Sequence, residues 1–390
     1  MVKFVRDKRL IYLMVSFFAV IFFGGCVTTE NAAVGTGEPV FFPPPPDVPR
    51  FQFLTSFSGT GDFTEKKSGL DEFLGGSQTT YKFKRPYGIT VSKGSMYVTD
   101  TLTSVWRFNF KNKKIHKLQG DKGLGKIVRA QNVAADDNGN LFVADPDRKM
   151  VLQYDKNDLY VRGFTDPAGW KPVDLATFDG QLFVCDATHA KGGIKVFDIE
   201  SGEMIQTIGD SGPPKDRLGI ATGIAMDKDG YLYVTDAGNF QIKKYDRDGH
   251  FRGFLGKPGN SPGHIGRPKG IAVDREGKIF EVDAAFDTVQ VFSPNGFVLG
   301  LLGGPGSAPG TLTLPAGVHI DYDNIDYFKK YAAPGFTLEY LVFVTSQFHN
   351  TNGISVYGYG KMEGEQYLDF EELKKEKEDL LKKAAEEANK

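Results

Sequence analysis

One motif returns six times in register along this chain. A segment of the form Gly-Ile-Ala-Val-Asp, a turn, and a hydrophobic run ending on a polar residue recur at 88–100, 132–145, 174–186, 223–236, 270–283 and 317–346. The terminal residues Asp100, Asp145, Asp186, Asp236 and Asp283 are 45, 41, 50 and 47 residues apart, and Ser346 follows 63 later because residues 322–340 are inserted. A period of this size marks units that cannot bury an apolar face alone and must stack on their neighbours.

The packing order follows from what comes after each terminal residue. A further strand closes on Phe108, Tyr154, Phe197, Tyr245, Phe292 or Tyr357, with Val105, Val151, Ile194, Ile242, Val289 or Ile354 three residues earlier. An interval of three puts the two on opposite strand faces. Both faces must then be covered, as when small sheets stand between neighbours in a ring. Fourth strands are legible at 250–256 and 297–303, but the sixth repeat has none after Tyr357. Residues 51–59 carry that pattern, so the N-terminal segment is expected to complete the last blade and remove the open edge. The expectation is an all-β, six-bladed β-propeller over 51–360, its ring closed by an N-terminal strand.

Two stretches carry a family likeness. Arg267-Pro268-Lys269-Gly270-Ile271-Ala272-Val273-Asp274 with Val282-Asp283 and Val289-Gln290-Val291-Phe292 is one; 223–236 followed by Ala237-Gly238-Asn239-Phe240-Gln241-Ile242 is the other. Both resemble NHL repeats. The resemblance implies the propeller and leaves function open, because such rings serve as binding platforms, receptors, RNA binders and lyases.

The ends of the chain read differently. Lys3, Arg6, Lys8 and Arg9 precede an apolar run over 10–23, short for a membrane span. Gly24 and Gly25 then lead into Cys26, which resembles the lipobox of bacterial lipoproteins. That resemblance implies a signal peptide over 1–25 and a lipid on the Cys26 thiol. Val27 in the place of Asp implies the outer membrane. Residues 26–50, with Pro43, Pro44, Pro45 and Pro46, read as a stiff tether. At the other end, 361–390 reads as a charged tail with a short C-terminal helix from Asp369. The only other cysteine, Cys185, lies inside a strand pattern and reads as buried and inert.

Net charge bounds the partners. With a formal charge of −2 there is no general basic field for nucleic acid. A local one is legible: Arg85, Arg129, Lys171 and Arg267 occupy the aligned position before the first strand of four repeats, where they can meet an anion or pair with nearby Asp. At the first position of the inner strands stand Gly88, Asn132, Asp174, Gly223, Gly270 and Gly317. Lactonase-like propellers gather Glu, Asn and Asp at the channel mouth for calcium, and Asn132 and Asp174 could share an ion. Two oxygen side chains fall short of a shell of six to eight, so no cofactor is expected and calcium stays an alternative. Only His319 of the six histidines falls in an inner-strand motif, which does not make a three-histidine zinc site. The insertion supplies Tyr322, Tyr327, Phe328, Tyr331, Phe336 and Tyr340, a candidate partner surface.

No nucleophile motif or phosphate loop is present. The leading expectation is a non-catalytic binding or scaffolding lipoprotein that recruits an envelope or extracellular protein, with a redox or secretion assembly as one setting. Two alternatives stand beside it: a metal-dependent, lactonase-like hydrolase using Asn132 and Asp174, and a receptor for a small anion or glycan using the basic rim.

Overall fold

The computed structural model describes residues 38–63, 80–188, 192–348 and 353–367. It contains six antiparallel sheets, five of four strands and one of five. The inner strands are Pro86–Ser92, Asn132–Ala135, Pro172–Phe178, Ala221–Met226, Pro268–Val273 and Pro315–Asp321. Each pairs with a central strand ending on the repeated residue, from Asp100 in blade one to Ser346 in blade six. This is the six-bladed propeller that the repeats require.

Both faces of the third strands are covered. The six aliphatic residues from Val105 to Ile354, and the six aromatic residues three positions later, are all buried. At roughly 1.5–3 kcal/mol for each large apolar side chain removed from water, this pair per blade is the repeating contribution that holds blade to blade.

The strand-end carboxylates fix the loops. Asp145 accepts from the backbone N–H of Val128 at 2.6 Å and of Arg148 at 3.0 Å, and Asp283 from Gly266 at 2.7 Å and Ala285 at 2.9 Å. One carboxylate thus ties the turn after its own strand to the loop leading into the inner strand of the same blade. Asp100, Asp186 and Asp236 do the same. Backbone groups that would otherwise be buried without partners are satisfied, and the loops carrying the rim residues are set.

The sixth blade closes the ring. Phe51–Phe57 pairs with Ile354–Met362 in a register running from Phe51 opposite Tyr359 to Phe57 opposite Ile354. Phe41–Phe42 then adds a fifth strand, and Val40 and Phe42 pack against the core that holds Phe51 and Tyr357. The chain therefore joins the sheet earlier than Phe51, within the segment expected as tether.

The insertion forms one helical turn, Ile325–Phe328, a 3-10 turn, Lys329–Tyr331, and an early start to the long strand Phe336–Ser346. Gln52 holds it, donating from Nε2 to the Tyr331 carbonyl at 3.0 Å while its Oε1 accepts from Ala333 N–H at 2.9 Å.

Among the described residues no helix is long and apolar enough to cross a membrane. The proposed signal peptide, Cys26 and the C-terminal helix lie outside the described residues.

Candidate functional site at the central channel

The inner strands meet at the axis through close backbone approach. A Cβ on Gly88 would stand 2.0 Å from Asn132 Oδ1, and one on Gly223 2.3 Å from the Lys269 carbonyl. Gly270 and Gly317 meet the carbonyls of Ala316 and Tyr87 as closely, at 2.6 and 2.5 Å. Four positions of this ring must be glycine. The two side chains that remain, Asn132 and Asp174, meet each other: Asn132 Nδ2 donates to Asp174 Oδ1 at 2.6 Å.

Asp174 is buried and well supplied with donors. Its Oδ1 also accepts from Leu175 N–H at 2.8 Å, and Oδ2 accepts from Ile224 N–H in the next blade at 3.0 Å. Burial outweighs these hydrogen bonds and pushes the carboxyl up to about 7. Oδ2 accepts one hydrogen bond and keeps a lone pair for another, whereas Oδ1 accepts two.

Asn132 and Asp174 end a cavity of about 260 Å³ running along the axis. Most of its lining residues are aliphatic, but polar atoms make up the larger part of the exposed wall, and Thr90, Thr177, Met226 and His319 are among those lining it. His319 is half-buried there, and desolvation pushes its imidazole down to about 4, so the ring is neutral near pH 7.

Beyond this ring lies a second, polar layer that does not line the cavity. Five of the six inner strands carry a register shift here, as between Pro86 and Ile89 and between Pro268 and Ile271. Such bulges re-aim side chains at the ends of strands. Tyr87 is enclosed, its hydroxyl beside Gln131 and within the fields of Asp174, Arg267 and Arg129, and burial pushes it up to about 12. Lys269 Nζ stands 5.9 Å from the Tyr87 ring. Desolvation, and then Arg267, lower the Lys269 ammonium from its ordinary value.

The four rim residues have different fates. Arg129 pairs with Asp147 at 2.8 Å, and Arg85 lies over the Phe348 ring at 4.7 Å. The Nε atoms of both are buried without an acceptor. Lys171 and Arg267 make no ion pair among the described residues. Tyr87, Gln131 and Lys269 stand one column before the glycine ring and were not singled out in the sequence, where nothing marks them apart from other strand residues.

The six insertion aromatics go mostly inward. Phe328, Phe336 and Tyr340 are buried, and Tyr322, Tyr327 and Tyr331 pack against the cores flanking blade six. Phe328 sits 5.7 Å from Phe110 and 5.5 Å from Phe343, across the seam between blades one and six.

Residues 70–321 match the family pattern described as SMP-30/Gluconolactonase/LRE-like region, which is more than half of the chain. The chain belongs to this family. Its NHL-like repeats had pointed to the same kind of propeller but not to the gluconolactonase family itself. No curated protein sequence matches the chain. Among solved structures it is similar to a gluconolactonase from Xanthomonas campestris, at 16% identity over 83% of this chain and 98% of that one, with a TM-score of 0.53. It is also similar to a protein of unknown function from Bacteroides thetaiotaomicron, at 17% identity over 73% and 71% of the two chains, with a TM-score of 0.54. At these identities the likeness concerns the fold alone.

Members of the gluconolactonase family are usually metal-dependent, which makes the donor set at this mouth decisive. It does not fit a divalent cation. Asn132 Oδ1 already accepts from Val133 N–H at 2.9 Å, the Asp174 oxygens face backbone donors, and four ring positions are glycine. The next layer out brings Arg129, Arg267 and Lys269 to the same opening. A calcium shell needs six to eight oxygens and no competing cations. Elsewhere among the described residues, Asp246, Asp248 and His250 lie close enough together to share an ion, but Asp246 is already engaged by Arg252 at 2.6 Å in an exposed hairpin.

Proposed function

We propose that this gluconolactonase-family propeller binds a small hydroxylated molecule at its central channel and opens lactone rings there, with Asp174 as the acid–base group. The observation that carries the reading is Asp174 itself, a carboxyl poised near pH 7 and held by Asn132 at the end of a 260 Å³ cavity. Above that pH, the free lone pair of Oδ2 can take a proton from a water attacking a lactone carbonyl. Below it, the protonated carboxyl can donate instead. No step requires a bound metal. Rates of lactone hydrolysis by the purified chain, followed by pH-stat with and without chelator, test this. We expect a rate that rises through about pH 7, survives chelation and falls at least 100-fold in Asp174→Asn. Absence of turnover across a panel of lactones would leave the channel without this reaction.

The chain is further proposed to be exported and held by lipid on Cys26, at the outer membrane where there is one. The support is the sequence around that cysteine. Metabolic labelling with a radioactive fatty acid should mark the parent and spare Cys26→Ser; equal labelling refutes it.

Exposed apolar side chains on two consecutive blades support a scaffolding role toward an envelope protein. Phe254, Phe297, Leu299 and Leu301 stand out from the outer strands of blades four and five and the turn between strands, each more than a third exposed. If this is the working face, cross-linking in intact envelopes should capture a partner through it. Replacing Phe254 and Leu301 by Ser should abolish capture and leave lactone turnover unchanged.

A further inference from the structure

The polar layer outside the Asn132–Asp174 ring is almost wholly made of hydrogen-bond donors. Arg129, Arg267 and Lys269 carry positive charge, Tyr87 presents a hydroxyl that stays protonated, and Gln131 lies against that hydroxyl. The carboxyl within reach of this cluster is Asp174, and its own burial keeps much of it uncharged near pH 7. Arg129 shares its charge with Asp147 on the solvent side, but its Nε is buried with no acceptor. Arg267 and Lys269 have no ion pair among the described residues, and each raises the cost of the other's charge. Arg267 is exposed, but Lys269 is half-buried beside it with no ion pair among the described residues, an arrangement that folding alone does not favour.

We infer that this mouth is an anion site, with Arg129, Arg267 and Lys269 holding the carboxylate of a small molecule against the Tyr87 hydroxyl. Planar guanidinium groups suit a carboxylate's two oxygens, and the lysine supplies a point charge between them and the ring. None of these residues lines the cavity that Asn132 and Asp174 end, so a ligand whose charged end is held at the mouth has its body toward Asp174. The same cations explain why a metal finds no place here: the opening is electrostatically inverted relative to a calcium site. This rests on the channel as the ligand site and not on hydrolysis, and it names the ligand class as a carboxylate, the charge type that opening a lactone produces.

The test is titration calorimetry on the full chain in detergent at low salt, with sodium gluconate, inorganic phosphate and calcium chloride as separate probes. Saturable gluconate binding, tighter than phosphate and weakened at least tenfold in the Arg267→Gln, Lys269→Met double variant, is the expected result, with the variant's melting temperature unchanged. Gluconate affinity equal in parent and variant, phosphate binding more tightly than gluconate, or calcium binding at the mouth would each overturn it. Asp174→Asn separates this from the hydrolytic reading: it should end turnover and retain gluconate binding. Turnover without gluconate binding by the parent overturns the anion site alone.

Discussion

Asp174→Asn should change how the stability of this propeller depends on pH, by an amount that follows from the site. In the folded chain the carboxyl is raised from 3.8 to about 7, because burial removes water that the Asn132, Leu175 and Ile224 donors only partly replace. A group whose folded value is raised contributes its full stability below the unfolded value and loses it as pH rises through the folded one. Between pH 5 and pH 8, at about 1.36 kcal/mol per pH unit over the range where only the unfolded chain is ionised, the parent should lose roughly 2.5 kcal/mol on this account. The variant cannot ionise at this position. It also loses the hydrogen bond from Ile224 N–H if its amide nitrogen points there, a cost of about 1–3 kcal/mol, but that cost does not change with pH. The readout is therefore the parent-minus-variant difference in unfolding free energy, measured by urea titration at each pH. His319, pushed down to about 4, gives the opposite slope between that value and its ordinary 6.5 in both proteins, and cancels. A difference that stays flat within about 0.5 kcal/mol from pH 5 to pH 8 would refute the assignment of a desolvated, titrating carboxyl to the channel.

Gln52→Ala should lower stability by about 1–2 kcal/mol, since it removes the partners of the part-buried Tyr331 carbonyl and Ala333 N–H that pin the insertion to the closing strand. A loss below about 0.5 kcal/mol in urea unfolding would show the insertion to be held otherwise. Gly88→Ala should displace Asn132, whose Oδ1 lies 2.0 Å from the new Cβ, and thereby lower both the melting temperature and any lactone turnover; a variant matching the parent in both would mean the inner strands can part at no cost. Removal of residues 51–57 strips the fourth strand from blade six and exposes the edge of Ile354–Met362. The whole ring, rather than one blade, should lose its cooperative thermal transition, and a truncation that melts like the parent would contradict closure.

The fold was legible because its information is repeated. Each copy of the motif is weak, but Val105 and Phe108 and their five counterpart pairs state the same two-faced burial six times, and the missing sixth outer strand points to the N-terminus for its replacement. The start at Phe41 was not legible, since two aromatic residues beside a proline run carry no strand periodicity of their own. The insertion misled for a related reason. Six aromatic residues outside the repeat look like surface to spare, whereas the seam between blades one and six has room for them beside Phe110 and Phe343. At the channel, Asn132 and Asp174 were found because they break a column of glycines. The donors around Tyr87 were not, because their convergence depends on the bulges that re-aim the strand ends.

One further column explains why Asn and Asp stand where they do. The residue before each strand-end position is Thr99, Ala144, Cys185, Thr235, Val282 or Thr345. Where it is threonine, the hydroxyl reaches across to the inner strand of the next blade: Thr99 donates to the Gln131 carbonyl at 3.0 Å, Thr235 to that of Lys269 at 2.7 Å, and Thr345 to that of Tyr87. In blades two and three that hydroxyl is replaced by Ala144 and Cys185. There the inner strands are tied instead by Asn132 to Asp174, and by Asp174 to Ile224 N–H. The pair thus closes two of the three junctions that lack a threonine, the third being the one beside Val282, and it does so with a carboxyl whose burial makes it titrate near pH 7. Structural and chemical roles fall on the same side chain. Loss of turnover in Asp174→Asn must therefore be read beside its stability, and a variant that is folded, at least as stable as the parent at pH 8 and inactive would assign the chemistry to the carboxyl and not to the tie.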